Sequence, residues 1–205
     1  LNTGGCGICQ KTCEARAINF EDTDTEEEVD VGAVVMAAGF EEFRPVQSLE
    51  MGYARFPDVV TSMEFERILS ASGPFQGHVV RPSDGREPQR IAFLQCVGSR
   101  DIPCRHGYCS SVCCMYAVKE AVIAKEHMTD VETTIFMMDL RAFGKDFDKY
   151  CERAETESGV NFERARVYGI EQDDYGQLVV HYAPQANGVT KALFDMVVLS
   201  IGLEP

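Results

Sequence analysis

Apolar residues along the chain follow two patterns of spacing, one typical of strands and one typical of helices. A short apolar run at 91–94 follows a polar, proline-containing approach and predicts a buried strand. Apolar residues then recur at helical spacing over 115–122, and Ser110 or Ser111 is placed to cap the start of that helix. Strand, tight turn and helix in this order predict the opening of a βαβ unit.

The same patterns predict further elements on both sides of this unit. Thr61 and Glu64 have the spacing of a capping box, ahead of a short amphipathic helix that Gly73 and Pro74 end. Strands are predicted at 134–138, 160–169, 178–183 and 192–201, a polar helix at 145–158, and a hairpin turn at 185–188. The segment VGAVVMAAG at 31–39 predicts another apolar strand that runs into a glycine turn.

Cysteines occupy the turn between the central strand and helix. A dinucleotide-binding unit would have G-x-G-x-x-G at this turn, but the turn has only two glycines. Bulky thiols in the other places argue against a bound pyrophosphate and for a metal. The helix N-terminus is expected to lower the pKa of nearby thiols. One strand-end cysteine and three at the loop-helix corner make four thiolates, the usual ligand set of an iron-sulfur cluster: Cys96, Cys109, Cys113 and Cys114.

The same cysteines also allow three interpretations without an iron-sulfur cluster. Structural zinc is one, although the adjacent Cys113 and Cys114 fit a C-x-x-C knuckle poorly. A thiol-disulfide redox sensor is the second, and simple core packing is the third. Cys104 is a fifth cysteine in the same loop, and His106 there could replace a thiolate, although it is more simply a surface residue.

A second group of cysteines lies near the N-terminus. Cys6, Cys9 and Cys13 have C-x-x-C-x-x-x-C spacing, which is three quarters of the bacterial ferredoxin run. Thr3 stands in place of the first cysteine and Glu14 in place of the usual proline. The spacing favours a second iron-sulfur site with a fourth ligand from elsewhere, with zinc or plain thiols as the alternative.

The strings IAFLQCVGSRD and YCSSVCCMYAVKEA resemble one family closely. They are similar to the A subunit of heterodisulfide reductase, a flavin and iron-sulfur component of electron-transfer complexes. The resemblance implies that Cys96, Cys109, Cys113 and Cys114 bind a 4Fe-4S cluster beside a flavin domain. It leaves Cys104 as a spare or substitute ligand, since the family generally has no cysteine there. It also implies other redox subunits, of the heterodisulfide reductase or hydrogenase type, as partners.

Small residues predict where a flavin would lie. Segments 31–39 and 195–202 both read as strands that end in glycine, and they resemble the crossings between domains in flavoproteins with two dinucleotide-binding domains. In that interpretation Ala37, Ala38, Gly39 and Gly202 let the backbone approach the flavin. Without a glycine-rich fingerprint in this chain, FAD is expected in the parent protein rather than bound tightly by this piece alone.

Composition narrows the function classes. The chain has 205 residues, 45% of them apolar, which is enough for a sizeable core, and a formal charge of -14. The acidic excess disfavours nucleic acid and anionic membranes as partners. No apolar run is long enough to span a bilayer, and nine cysteines without a signal peptide predict a reducing cytoplasm. The composition is also compatible with a homo-oligomer. The ends of the sequence suggest a piece of a longer polypeptide.

Together these features predict an α/β protein with three parts. A ferredoxin-like cysteine segment covers 1–27, a flavin-domain connection and linker covers 28–89, and a Rossmann-like three-layer domain with a β-hairpin extension covers 90–205. The predicted function is electron transfer between a flavin and iron-sulfur clusters, as an oxidoreductase component that is not catalytically complete alone.

Overall fold

The computed structural model describes residues 6–103, 106–184 and 188–204. They fall into two compact units, of which the first ends at Ala38 and the second begins at Gly39. The first unit has one short helix, α1 (Ile8–Thr12), and no residue from 6 to 38 is buried. A ferredoxin-like fold in this unit therefore remains a prediction from its cysteine spacing.

The strand predicted at 31–39 is wrong for the described structure. These residues form no strand, and the side chains of Val34, Val35 and Met36 are 75%, 88% and 82% exposed. A strand is stable only when neighbouring strands pair with its backbone and cover its apolar face. No described strand pairs with this segment, so its composition alone does not produce one. The predicted glycine turn is not closed by a backbone hydrogen bond among the described residues, although Gly39 has a φ of +82°.

The second unit is a mixed α/β fold. Its helices are α2 (Ser62–Leu69), α3 (Cys113–His127) and α4 (Phe147–Thr156), with 3₁₀ turns at Pro45–Gln47 and Leu49–Met51. Its strands are β1 (Glu41–Glu42), β2 (Val59–Thr61), β3 (Arg90–Val97), β4 (Glu132–Met137), β5 (Asn161–Gln172), β6 (Leu178–Pro184), β7 (Thr190–Phe194), β8 (Met196–Ile201) and β9 (Leu203–Glu204).

Seven strands form one mostly parallel sheet in the order β2-β8-β3-β4-β5-β6-β7. Strands β2, β8, β3, β4 and β5 run parallel to one another. Strand β5 then pairs with β6, and β6 with β7, in an antiparallel meander. Strands β1 and β9 pair separately as a two-stranded antiparallel ribbon. The β3-α3-β4 unit confirms the predicted βαβ opening, and the sheet is compatible with a Rossmann-like arrangement.

Apolar side chains fill both faces of the central strands. In β3, Ile91 and Phe93 belong to the core beneath the helices, whereas Ala92 and Leu94 belong to the core on the opposite face. The meander folds over that second face, where the rings of Phe136 and Phe194 lie 5.7 Å apart at their centroids. Strands buried on both faces explain the nearly continuous apolar run in the sequence.

The predicted capping box is confirmed. The Thr61 hydroxyl accepts a hydrogen bond from the Glu64 backbone at 3.3 Å, and the Glu64 carboxylate accepts one from the Thr61 backbone at 2.8 Å. Helix α2 buries three apolar residues against the core beneath the helices: Phe65, Ile68 and Leu69. Since β2 pairs with β8, this compact unit begins well before the predicted boundary at residue 90.

The strand predicted at 192–201 is two strands with different partners. Strand β7 pairs with β6 as the predicted hairpin, and β8 pairs with β3 and β2. Asp195 lies between them, and its carboxylate accepts the backbone N–H groups of Gln89 and Arg90 at 2.9 Å each. Residues 185–187 of the predicted turn lie outside the described ranges. No helix in the described part of the chain is long and apolar enough to cross a membrane.

Candidate metal centre

Cys96 lies at a β-bulge near the end of β3. The pairing of β3 with β8 shifts register between Leu94 and Val97, and Cys96 has a φ of +64°. A residue other than glycine rarely adopts this left-handed conformation, which costs roughly 1–3 kcal/mol. Bulges of this kind redirect a side chain at the edge of a sheet. Positive φ also occurs at Arg100 and Ser111, so three of the seven non-glycine residues with positive φ in the described part of the chain lie around the cysteines.

The loop after β3 is a small hairpin that leads to Cys109. Arg100 donates its backbone N–H to the Tyr108 carbonyl at 2.8 Å, and Asp101 and His106 exchange backbone hydrogen bonds at 2.9 and 3.0 Å. The His106 ring nitrogen Nδ1 lies 3.1 Å from the Gly98 carbonyl oxygen. His106 is therefore part of the loop framework. Cys104, the predicted spare ligand, lies outside the described residues.

Helix α3 begins at the two adjacent cysteines. Cys113 and Cys114 form its first positions, and Val112 precedes them without a side-chain cap. The predicted serine cap is therefore wrong. Ser110 instead accepts the backbone N–H of Leu203 at 2.9 Å, which ties the loop to strand β9.

Four thiols from these three elements lie within electrostatic range of one another. Burial raises the pKa of Cys96 to about 11, the Arg100 charge opposes this, and negative charge on Cys114, Cys113 or Cys109 raises it further. The Cys109 sulfur accepts the Ser111 backbone N–H at 3.3 Å. We call Cys96, Cys109, Cys113 and Cys114 the cysteine corner.

The predicted lowering of thiol pKa by the helix N-terminus is wrong for two of its cysteines. Burial raises the pKa of Cys113 and Cys114, whose residues are 5% and 6% exposed. A hydrogen bond from the Arg141 backbone to Cys114 opposes that rise without cancelling it. The loss of hydration is the largest influence on both pKa values, and it outweighs the hydrogen bonds that lower them. These thiols are weak nucleophiles unless a bound metal displaces their protons.

The cysteine corner does not form a site for a single metal ion in the described structure. Within ranges 6–103, 106–184 and 188–204, no three His, Cys, Asp or Glu side chains converge closely enough to chelate one metal ion. Structural zinc requires four donors around one point. In a cubane each thiolate binds a different iron, so the ligands surround the group from separate directions. The cysteine corner takes its four thiols from a strand end, a loop and a helix start, and a cluster bound there stays a prediction.

An ion-pair group beside Cys96 was missed by sequence reasoning. Arg100 pairs with Asp139 after β4, and Arg141 also contacts Asp139 at 3.3 Å. Burial alone would raise the pKa of Asp139, but hydrogen bonds and charges from both arginines hold it below its usual range. In the sequence Asp139 is more simply a loop or cap residue, and no local pattern connects it to Arg100.

Glycines allow the ends of β3 and β8 to approach closely. Gly98 has a φ of +72°, and a Cβ there would lie 2.1 Å from the Phe43 ring. A Cβ on Gly202 would lie 2.7 Å from the Gly98 carbonyl oxygen. Gly202 is therefore required by backbone packing, and its predicted contact with a flavin stays a prediction.

The other predicted site residues belong to more open parts of the chain. Ala37, Ala38 and Gly39 are exposed, and no described atom lies within 4 Å of a Cβ placed on Gly39. In the first unit, Cys9 is in α1 and Cys13 caps its end one turn later, with Cys6 two residues before the helix. Only Cys9 therefore has helical backbone, and the other two cysteines lie on either side of the helix in sequence. Their metal-binding role stays a prediction.

A polar cleft of about 500 Å³ opens beside Cys96 at the ends of β3 and β4. Its wall includes Gln95, Arg100, Asp101 and Arg166. One buried oxygen each of Gln95 and Asp101 has no hydrogen-bond partner among the described residues. The cysteine corner therefore borders a cleft whose unpaired oxygens can accept hydrogen bonds from water or a polar group.

No family model matches the chain, but individual proteins do. The A subunit of H(2):CoB-CoM heterodisulfide,ferredoxin reductase from Methanothermobacter thermautotrophicus is 42% identical over 201 residues, 98% of this chain and 30% of that protein. The second iron-sulfur A subunit of CoB--CoM heterodisulfide reductase from Methanopyrus kandleri is 44% identical over 194 residues, 94% of this chain and 30% of that protein. The A subunit of the ferredoxin/F(420)H(2)-dependent CoB-CoM heterodisulfide reductase from Methanosarcina acetivorans is 40% identical over 202 residues, which are 98% of this chain and 25% of that protein. The chain thus spans less than a third of these relatives.

Proposed function

Because the chain belongs to the A-subunit family of heterodisulfide reductase over the segment that it spans, we propose that it is an electron-transfer part of an oxidoreductase. The cysteine corner would hold a 4Fe-4S cluster. The observation that supports this most directly is the meeting of four thiols from a strain-bearing strand end, a loop and a helix start. The finer assignment of the fold, a Rossmann-like unit with cysteines at the phosphate turn, belongs to the same proposal.

A bound cluster supplies one-electron redox chemistry, whereas the protein sets the conditions for it. Burial of Cys113 and Cys114 keeps water away from their sulfurs. The Arg100 guanidinium places positive charge near Cys96, and the Ser111 N–H donates to the Cys109 sulfur. The positive charge and the hydrogen bond favour added negative charge and raise the reduction potential, whereas burial lowers it.

The parent protein would carry further redox groups. Cys6, Cys9 and Cys13 would hold a second cluster with a fourth ligand from elsewhere, and Ala37 to Gly39 with Gly202 would approach an FAD bound mainly by the remainder of the protein. Its partners would be redox subunits of the heterodisulfide reductase or hydrogenase type, in the reducing cytoplasm. The names of the relatives, which include an iron-sulfur subunit, support this assignment.

The proposal is tested by metal content. Iron, acid-labile sulfide and zinc are measured on anaerobically purified protein and on a Cys113→Ser/Cys114→Ser variant, together with the visible spectrum. We expect roughly four irons per chain to disappear in the variant, because a cubane has four irons. Cys151→Ala is the matched control, since this buried thiol contacts the Met115 sulfur at 3.8 Å and is expected to retain the iron.

Two outcomes would contradict the proposal. Stoichiometric zinc without iron after anaerobic reconstitution would indicate a structural metal site. Metal-free protein with reversible loss of thiols would indicate a redox sensor, although sensor cysteines are normally exposed and Cys113 and Cys114 are buried.

A further inference from the structure

An aromatic groove lies directly beside the cysteine corner. It has a volume of about 600 Å³ between the first turns of α3 and the segment that enters α4. Its apolar wall is formed by Val112, Met115 and Tyr116 on one side and by Phe143, Phe147 and Tyr150 on the other. Val112, Phe143 and Phe147 are 43%, 54% and 42% exposed. Three large apolar side chains exposed together around one concave surface are typical of an interaction site.

Positive charge surrounds this groove in an otherwise acidic chain. The formal charge of the chain is -14, yet the groove is lined by Lys119, Lys145 and Arg153 and by a single acid, Asp146. Lys119 pairs with a glutamate on α2, and Asp146 pairs with a neighbouring lysine. Lys145 and Arg153 form no ion pair with any described residue, so their charges face the groove without a described carboxylate to neutralise them.

The groove also shares its wall with the predicted cluster ligands. Val112 immediately precedes Cys113, and the Tyr116 hydroxyl donates to the Ile201 carbonyl at 3.0 Å. The Cys113 sulfur lies 3.6 Å from that same carbonyl oxygen. A molecule that fills the groove would therefore contact the helical turn that carries the thiols.

We propose that the aromatic groove docks an acidic electron-transfer protein, one that places carboxylates around a small apolar contact. Charge complementarity supports this occupant, because basic residues outnumber acidic ones around the groove, whereas the chain as a whole is acidic. Complexes between electron-transfer proteins are small and short-lived, and opposite charges steer their formation. A cationic rim around a few exposed aromatic side chains suits such a contact. The proposal rests on the proposed electron-transfer function, since that function is what requires a redox partner here.

Binding to the anaerobically prepared full-length protein tests the proposal. The probe is a small acidic ferredoxin in its oxidised form, and the dissociation constant is measured at low and high ionic strength. We expect Lys145→Glu/Arg153→Glu to weaken binding roughly tenfold at low salt and to flatten its salt dependence. Phe143→Ser is expected to weaken binding at both ionic strengths, because it removes apolar contact.

Matched controls use exposed residues of the same type elsewhere. Lys191→Glu/Arg86→Glu reverses two exposed positive charges away from the groove, and Tyr175→Ser removes a ring that is 92% exposed at the β5-β6 turn. Both are expected to leave the dissociation constant within about twofold of wild type. Equal weakening in variants and controls, or no binding by the wild type, would overturn the proposal. So would a self-associated dimer that Phe143→Ser dissociates, since the groove would then belong to a second copy.

The docking test and the cluster test fail in different ways. Binding of the oxidised ferredoxin is measured directly and does not require electron transfer. The Cys113→Ser/Cys114→Ser variant therefore tests the cluster alone. The groove variants Lys145→Glu/Arg153→Glu and Phe143→Ser are expected to retain their iron while they lose affinity for the probe. Retained iron together with undiminished binding by the groove variants would overturn the docking proposal alone.

Discussion

The two groups of cysteines in this chain have the same chemistry but very different surroundings. Cys6, Cys9 and Cys13 lie on and beside a five-residue helix in a unit without buried residues among those described. The cysteine corner brings together a bulged strand, a hairpin loop and a fifteen-residue helix over two apolar cores. The first group depends on sequence spacing alone, whereas the second depends on contacts between distant parts of the chain.

This difference indicates what holds each set of ligands in place. A short exposed helix has little stability of its own, because helix nucleation is costly and no apolar face is buried. The N-terminal thiols are therefore expected to be ordered mainly by the group that they bind. At the cysteine corner, folding itself supports positive φ at Cys96 and Ser111. Variants in the two units test this contrast directly, through the free energy of unfolding of the metal-free, reduced protein.

The largest expected effect comes from a glycine under the cysteine corner. Gly98→Ala places a Cβ 2.1 Å from the Phe43 ring at a φ of +72°, and we expect about 3 kcal/mol of destabilisation in urea unfolding followed by circular dichroism. Gly7→Ala in the N-terminal unit is the matched control. A Cβ on Gly7 has no described neighbour within 4 Å, so its effect should be negligible. Equal destabilisation by the two substitutions would contradict the expected difference between the cysteine corner and the N-terminal unit.

A pH-dependent effect is expected from Glu120 on α3. Burial, and then the nearby charge of Glu66, raises the pKa of Glu120 from 4.5 to about 9 despite the opposing charge of Lys119, and Glu120 is only 2% exposed. An acid whose folded pKa is raised contributes stability below its unfolded pKa and loses that contribution as pH rises through the folded pKa. Relative to wild type, Glu120→Gln should therefore gain stability progressively as pH rises from about 4.5 to about 9.

The control for this titration lies in the N-terminal unit. Glu14 is exposed, so the free energies of unfolding of Glu14→Gln and wild type should differ by a similar, small amount at each pH. Thermal unfolding across pH measures both variants. A Glu120→Gln difference that is constant with pH would show that the carboxyl group does not remain protonated in the folded protein.

A smaller effect is expected from the confirmed capping box. Thr61→Ala removes the hydroxyl that accepts the Glu64 N–H, and such a loss costs about 1 kcal/mol. Thr12→Ala in α1 removes only an exposed hydroxyl that donates to the Ile8 carbonyl at 2.8 Å. Chemical denaturation should therefore detect the first substitution and not the second. An equal loss in both would mean that α1 is part of a cooperative folded unit.

The smallest change in stability is expected from Arg100, whose effect should appear in redox behaviour. Arg100→Gln breaks a partly exposed pair with Asp139, which is worth under about 1 kcal/mol. It also removes positive charge beside Cys96, so the reduction potential of the proposed cluster should fall. A redox titration followed by electron paramagnetic resonance measures this, with Arg86→Gln, whose side chain is 80% exposed, as the control. An unchanged reduction potential would show that the charge of Arg100 does not influence the cluster.

Sequence reasoning predicted the elements around the site better than their connections. The βαβ opening and the capping box of Thr61 and Glu64 follow local patterns, and both are confirmed. The bulge at Cys96 left no such pattern, because it results from pairing with a strand about a hundred residues later. The Arg100–Asp139 pair likewise joins two loops that the sheet brings together. Both features join residues that are far apart in sequence, so no local pattern predicts them.

The sequence by itself determined which residues are available as ligands and where strands and helices begin to form, because thiol chemistry and hydrophobic periodicity are local properties. Only the tertiary structure decided how those thiols behave. Burial reversed the expected direction of the pKa shift at Cys113 and Cys114, and the lack of a described pairing strand left 31–39 exposed and without regular structure. Hydration and strand pairing depend on groups distant in sequence, so the folded chain alone sets them.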